Sequence, residues 1–116
     1  VAHLVFDHRA GGTIAASGKC PAGEDVPLTV LASHLLFGIE TRQELGRDLF
    51  TLDGRQALRT RLLGELDGVP VALELVVLKK DGCVYDLQLI AAPSELAARQ
   101  RDFAALVQGF ATIRGR

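Results

Sequence analysis

The chain has 116 residues, of which 48% are hydrophobic and 23% are charged, and its formal net charge is −1. This composition predicts one compact domain spanning Val1–Arg116, because a chain of this length buries roughly two-thirds of the surface that it exposes when unfolded. The near-neutral charge argues against nucleic acid as a partner, since there is no basic excess to follow a phosphate backbone.

No Met occurs at any position, including position 1, so we expect the chain to be a processed product. Val1–Phe6 is too short for the apolar core of a signal peptide, and no run approaches the ~20 apolar residues of a membrane span. We therefore expect no membrane span. A targeting segment or a lipid anchor upstream of Val1 is compatible with the sequence.

The two cysteines, Cys20 and Cys83, are far apart in the sequence, which excludes a CxxC redox pair and the short ligand spacings of zinc sites. Two interpretations remain open. One is a disulfide, which would stabilise the fold by about 4 kcal/mol in the chain-entropy model. The other is two separate buried thiols.

The first half of the chain predicts a hairpin followed by a helix. Ala2–His8 alternates as a half-buried strand does, and Thr13–Lys19 returns after turn glycines. Asp25 then suits a helix N-cap, Pro27 suits the first turn, and Gly38 suits the end. Between these ends lies an apolar stripe that we expect to dock on a sheet, formed by Leu28, Leu31 and Leu35.

The next segment is polar and shows no clear pattern over Ile39–Arg47. Leu49–Leu52 predicts a short edge strand that ends at Asp53-Gly54. Three long strands of a meander follow. Asp67-Gly68 is a two-residue hairpin signal, and it sets Arg61 opposite Glu74 and Leu62 opposite Leu73.

The second turn of the meander contains Asp81-Gly82. A two-residue loop at this point would set Leu75 opposite Gln88 and mix apolar with polar side chains. We therefore predict a three-residue loop, Lys80–Gly82, which sets Leu75 opposite Leu87 and Val77 opposite Tyr85.

This register predicts an aliphatic sheet face for the last helix and a second face on which polar and aliphatic residues alternate. The polar residues of the second face are Arg59, Arg61, Glu74, Asp86 and Gln88. They are either paired across strands under partial cover by the first helix, or they form a surface for a protein partner. In the second case, Arg59→Glu with Arg61→Glu should abolish binding and leave the thermal midpoint nearly unchanged.

The last element is a predicted helix with Ser94 as its N-cap, running to about Phe110. One face carries the apolar residues Leu96, Phe103, Leu106, Val107 and Phe110, and we expect Gln100, Arg101 and Gln108 on the solvent side. The order strand, strand, helix, short strand, three-stranded meander, helix predicts an α+β fold with a mainly antiparallel sheet flanked by helices.

Leu66–Pro70, Gly82–Leu87 and Phe103 with Gly109-Phe110 resemble the PsbP-like superfamily. That group includes an extrinsic photosystem II subunit, Mog-type nuclear transport factors and bacterial envelope lipoproteins. The resemblance covers the second half of the chain well, and the first half matches in element order alone. It implies an antiparallel sheet flanked by helices and, for the bacterial branch, an exported lipoprotein without enzymatic activity. An excess of Arg over Lys fits a bacterial source. No functional residue can be carried over from the family.

Candidate catalytic and metal-binding residues are few. His3 and Asp7 would lie about 13 Å apart on an extended strand, and His8 would point to the opposite face, so we expect no metal site and no cofactor. Neither cysteine has a neighbouring His in the sequence, and no phosphate-binding or nucleophile motif occurs, so we expect no catalytic residue.

The sequence therefore predicts a non-enzymatic, exported binding or accessory domain of the periplasm or cell envelope, with an unidentified protein partner. Two alternatives stay open. One is a small ligand-binding or hydrolytic protein with a pocket between sheet and helix, lined by His34 or Cys83. The other is a cytosolic protein-interaction module.

Overall fold

The structure is a computed structural model that describes residues 2–8, 12–20, 27–36 and 38–110. In these ranges six strands form one antiparallel sheet in the order β1-β2-β6-β5-β4-β3, and two α-helices pack on it. The α+β prediction is confirmed. The elements are β1 (Ala2–His8), β2 (Gly12–Lys19), α1 (Leu28–Leu35), β3 (Glu40–Leu52), β4 (Arg55–Leu66), β5 (Val69–Lys80), β6 (Cys83–Ala91), a 3₁₀ turn (Pro93–Glu95) and α2 (Leu96–Gln108).

Three consecutive hairpins close through the same dipeptide. Asp53-Gly54, Asp67-Gly68 and Asp81-Gly82 each form a two-residue loop, and all six residues have positive φ. Two successive residues with positive φ are the signature of the type I′ turn, whose twist matches that of the flanking strands. Asp and Gly tolerate this conformation better than most residues, so the local sequence dictates the turn.

The register of β4 and β5 is confirmed, with Arg61 opposite Glu74. The predicted register of β5 and β6 is wrong. Lys80 lies opposite Cys83 and Leu75 opposite Gln88, as the two-residue loop requires. A shift of one residue exchanges the faces of a strand, so every β6 side chain lies on the face opposite to the predicted one.

The two helices cover opposite faces of the sheet and different strands. α1 lies over β4 and β5 on what we call the front face, and α2 lies over β6, β5 and β2 on the back face. Each helix closes its own apolar core. The front core is built around Ala32, Leu58, Leu62, Leu73, Leu75 and Val77, and the back core around Val76, Leu78, Leu87, Leu89, Phe103 and Val107. The aliphatic β4–β5 face that we expected beneath the last helix is therefore covered by α1.

Strand β3 is longer than predicted. It is an edge strand, as expected, but it begins at Glu40 and takes in most of the segment that showed no pattern. Two register irregularities interrupt its pairing with β4 between Glu40 and Gly46. Most of its side chains are exposed, so the apolar alternation that reveals a half-buried strand is missing.

The helix ends agree only in part with the prediction. The stripe of α1 packs on the front core, and Gly38 follows the helix with a positive φ. The predicted N-cap Asp25 lies outside the described residues. Ser94 does not cap the last helix, because the 3₁₀ turn Pro93–Glu95 intervenes and α2 begins at Leu96 without a side-chain capping hydrogen bond.

Gly64 allows β4 to pack closely against the start of β3. A Cβ atom at this position would lie 2.5 Å from Cγ2 of Ile39 and 3.0 Å from the carbonyl oxygen of Glu40. Gly64 and Ile39 are both buried and the contact with Glu40 is with its backbone, so an added methyl group would have to displace packed atoms.

We expect Gly64→Ala to destabilise the protein by about 1–3 kcal/mol, the usual cost of overpacking. Gly46→Ala is the matched control, because a Cβ atom there meets nothing within 4 Å. Urea unfolding of both variants measures the difference. Equal stability of the two variants would contradict the close packing of β3 on β4.

Candidate functional site

The five residues predicted to share one polar surface occupy two faces. Arg59, Arg61 and Glu74 lie on the back face, where Arg61 is opposite Glu74 and Arg59 is opposite Val76 of the back core. Asp86 and Gln88 lie on the front face, opposite Val77 and Leu75 of the front core. The single predicted surface is therefore divided into a back cluster and a front cluster.

The back cluster is centred on the buried carboxylate of Glu74. Arg61 donates its Nε hydrogen to Oε1 of Glu74 at 3.1 Å, and Gln100 of α2 donates from Nε2 to the same oxygen at 3.1 Å. Nη1 of Arg59 lies 4.0 Å from Oε2. A buried carboxylate needs such partners, because desolvation of an unpaired charge is costly. Glu74 thus connects β4, β5 and α2.

Arg59 continues the cluster toward the sheet edge. Its guanidinium carbon lies 4.5 Å from the centroid of the Phe50 ring, and its Nε lies 3.6 Å from Oδ1 of Asp48. Stacking and ion pairing fix the position of a side chain that is otherwise flexible. Glu74 holds the guanidinium of Arg61 in place. The Arg61 side chain is nevertheless 42% exposed, so a partner can reach it.

The sequence did not point to every member of the back cluster. Gln100 was expected on the solvent side of the last helix, yet it is half-buried and bonded to Glu74. Phe50 was expected only as part of a short edge strand. The segment Asp48–Thr51 does not alternate between apolar and polar residues, so it gave no signal that the Phe50 ring packs under a guanidinium.

The front cluster is centred on Asp86, which is also buried. Ser17 of β2 donates its hydroxyl hydrogen to Oδ1 of Asp86 at 2.6 Å, and Gln88 donates from Nε2 to Oδ2 at 3.0 Å. Both carboxylate oxygens are therefore satisfied within the sheet. The Ser17–Asp86 hydrogen bond connects β2 to β6. The two hydrogen bonds together explain how the Asp86 carboxylate can be buried without a bound ligand.

Cys20 and Cys83 form a disulfide, with their Cα atoms 4.5 Å apart. The pair continues the β2–β6 register, in which Lys19 lies opposite Val84. The bridge joins the end of β2 to the start of β6, and the hydroxyl of Tyr85 lies 3.9 Å from Sγ of Cys20. Because the thiol of Cys83 is oxidised, it is not available as the nucleophile of a hydrolase.

A surface groove of about 380 Å³ lies at the start of α1 and is lined by Pro27, Leu28, Arg55, Gln56 and Lys79. Cys83 is not among these lining residues. Among the residues whose side chains are described, no group of three or more His, Cys, Asp or Glu side chains is placed to hold a metal ion. The side chains of His3, Asp7, His8 and His34 lie outside that description. No helix in the described ranges is long and apolar enough to cross a membrane.

Neither a protein-family model nor a curated protein matches the chain. Solved structures do match. A protein of unknown function from Pseudomonas aeruginosa, PA94, described as a putative regulator, superposes with a TM-score of 0.76 at 15% identity, covering 92% of this chain and 80% of its own.

LpqN of Mycobacterium tuberculosis, described as involved in cell envelope biogenesis, gives a TM-score of 0.58 at 19% identity over 91% of this chain and 67% of its own. The cyanobacterial PsbP protein (CyanoP) of Synechocystis gives a TM-score of 0.58 at 9% identity over 90% of this chain and 78% of its own. The fold is PsbP-like. Identities this low establish the fold alone, so the expected PsbP-like fold is confirmed and the expected lipoprotein branch is not.

We expect Glu74→Gln to destabilise the protein by about 1–2 kcal/mol, because it removes the charge from a buried, doubly bonded carboxylate. The partial exposure of Arg61 lowers the expected loss. Glu44→Gln is the control, since Glu44 pairs with Arg47 at an exposed position and should change little.

Thermal and urea unfolding of the two variants provide the comparison. A loss no larger for Glu74→Gln than for Glu44→Gln would contradict the central role of Glu74. The same contacts revise the expectation for Arg59→Glu with Arg61→Glu. That double reversal should lower the thermal midpoint markedly, because it surrounds a buried carboxylate with like charges.

Proposed function

We propose that this chain is the folded part of a non-enzymatic accessory protein of the bacterial cell envelope. We propose further that it acts by binding another protein through the back of β3 and β4. We call this surface the open back surface and define it by Asp48, Phe50, Arg59, Arg61 and Leu63.

The observation that carries the proposal is the combination of accessibility and order on this surface. α2 lies over β6, β5 and β2, whereas Asp48 and Arg61 at the other end of the same face have side chains 55% and 42% exposed. Arg59 and Arg61 are nevertheless held by Phe50 and Glu74. Arginines that are ordered before binding lose little conformational entropy on binding, and Arg is enriched at the energetically important positions of interfaces.

Two observations support the envelope as the location. The Cys20–Cys83 disulfide is of the kind that persists in oxidising compartments such as the bacterial periplasm. Of the proteins with the same fold, LpqN is described as involved in cell envelope biogenesis. A lipid anchor upstream of Val1 would hold the domain at a membrane surface, and it is part of this proposal.

The open back surface is tested by photo-crosslinking in cells that express the full-length protein. A photoreactive residue at Leu63, on this surface, should yield an adduct with one defined envelope protein. The same residue at Arg101, exposed on α2, should not yield that adduct. Loss of the adduct on adding Arg61→Gln would identify the guanidinium as part of the contact.

Adducts at both positions alike, or at Arg101 alone, would contradict the open back surface. The location is tested on the same cells with a thiol-alkylating reagent. The protein should resist alkylation until it is reduced, and it should fractionate with the envelope. Two reactive thiols in a cytosolic fraction would contradict the envelope location.

A further inference from the structure

The second half of β3 is a regular strand at the edge of the sheet. In the described part of the chain, no strand lies beside β3 on the side away from β4. The register irregularities of β3 lie before Gly46, so Gly46–Leu52 pairs with β4 without interruption. We call Gly46–Leu52 the β3 edge. Bulges, Pro and Lys protect the edges of natural sheets from further pairing, and the β3 edge contains none of them.

The backbone of the β3 edge has donors and acceptors that face away from β4. In a two-residue hairpin the pair that flanks the loop, here Leu52 and Arg55, is hydrogen-bonded, and hydrogen-bonded pairs then alternate with non-hydrogen-bonded ones. The backbone groups of Arg47, Leu49 and Thr51 therefore point outward. An incoming antiparallel strand can form a hydrogen-bonded ladder with these three residues.

An exposed leucine lies at the centre of the β3 edge. Leu49 is 55% exposed, although it lies directly opposite Leu58 of the front core. α1 lies over β4 and β5, and it does not shield Leu49. The apolar row that begins in the front core thus ends in solvent at Leu49, where cover by another apolar side chain would be favourable.

The two charged residues of the β3 edge already have partners in their own chain. Nη2 of Arg47 lies 2.9 Å from Oε1 of Glu44, and Oδ1 of Asp48 lies 3.6 Å from Nε of Arg59. Charged side chains deter edge pairing most when pairing would leave them without a partner. Because both charges keep their partners, they do not block a second strand.

A second copy of the chain can supply that strand. When two copies pair antiparallel about a two-fold axis through the sheet, one residue lies opposite itself, and the residues before it lie opposite those after it. An axis at Arg47 or Asp48 would oppose like charges, which destabilises a sheet. An axis at Phe50 would place Leu49 opposite Thr51.

An axis at Leu49 gives the best match along the β3 edge. It places the Leu49 side chains of the two copies against each other. Asp48 then lies opposite Phe50. Arg47 lies opposite Thr51, so like charges do not meet at any position of the β3 edge.

We propose that two copies of this chain pair antiparallel through the β3 edge, about a two-fold axis at Leu49. The sheets of the two copies then form one continuous sheet, and the two Leu49 side chains join the front cores. The self-complementary pattern of the β3 edge favours a second copy over a strand of another protein. The dimer needs no further partner, so it does not rest on the open back surface. It sets Phe50 of each copy beside Asp48 of the other and thereby joins the two open back surfaces.

Sedimentation velocity of the purified protein over a series of concentrations tests the dimer. We expect a monomer–dimer equilibrium. Leu49→Lys should raise the dimer Kd by roughly tenfold or more, because it brings two cations together at the axis. Leu45→Lys is the matched control. Leu45 is 49% exposed on the same strand but lies at the irregularity before Gly46, outside the β3 edge, so its substitution should leave Kd unchanged.

A substitution that strengthens the dimer tests the register. Thr51→Glu places a carboxylate opposite Arg47 of the other copy, and symmetry forms this pair twice. We expect the substitution to lower Kd by roughly two- to ten-fold, and added salt should reverse the gain. Under an axis at Phe50 the same carboxylate would lie opposite Leu49, so a weaker dimer would contradict the axis at Leu49.

Hydrogen exchange identifies the strand that pairs. As the protein concentration rises, the amides of Arg47, Leu49 and Thr51 should become protected. The amides of Asp48 and Phe50 already face β4, so their exchange should change little. Such alternation along one strand is specific to backbone pairing at its free edge.

Three outcomes would overturn the proposal: a monomer at every concentration, protection confined to other strands, or equal effects of Leu49→Lys and Leu45→Lys. Misfolding does not confuse the result, because Leu45 and Leu49 are both exposed. Both variants should therefore keep the thermal midpoint of the dilute protein, and the stronger dimer expected of Thr51→Glu cannot arise from unfolding.

Discussion

Three Asp-Gly dipeptides set the register of four of the six strands. Each places two successive residues at positive φ, closes a two-residue loop, and so fixes the register of the strands on either side. Because neighbouring residues of a strand point to opposite faces, the register decides which side chains meet. It places Glu74 on the back face with Arg59 and Arg61, and Asp86 on the front face with Ser17.

The offset of the two helices follows from the same register. The whole of β5 from Val71 to Leu78 is buried, because α1 covers its front and α2 covers its back. Neither helix covers the whole of the sheet face on which it packs, and polar residues occupy part of each face. On the back, Glu74 lies beneath the edge of α2 and connects that helix to the arginines of β4. A buried charge at the border between a core and an accessible surface provides order at that surface, and our proposed binding function relies on this order.

The sequence predicted the features that local chemistry determines: the two strands of the opening hairpin, the Arg61–Glu74 pairing, the α1 stripe and the antiparallel α+β class. It failed at Asp81-Gly82 because we weighted the matching of apolar faces above the turn signal. Matching apolar faces is informative only for a strand that has one solvent-exposed face, and β5 is buried on both faces from Val71 to Leu78. It also failed for the start of β3, since an exposed edge strand resembles a loop in composition. The disulfide and the role of Gln100 depend on contacts between distant segments, which no local pattern contains.

The Asp81-Gly82 turn sets a register that divides the polar residues between the two faces of the sheet. Cross-strand nuclear Overhauser contacts in isotope-labelled protein measure this register directly. We expect contacts that pair Leu75 with Gln88 and Val77 with Asp86, together with a contact between the Gln100 side-chain amide and the Glu74 side chain. Contacts that pair Leu75 with Leu87 and Val77 with Tyr85 would contradict it, because they would return Asp86 and Gln88 to the face of Arg59 and Arg61.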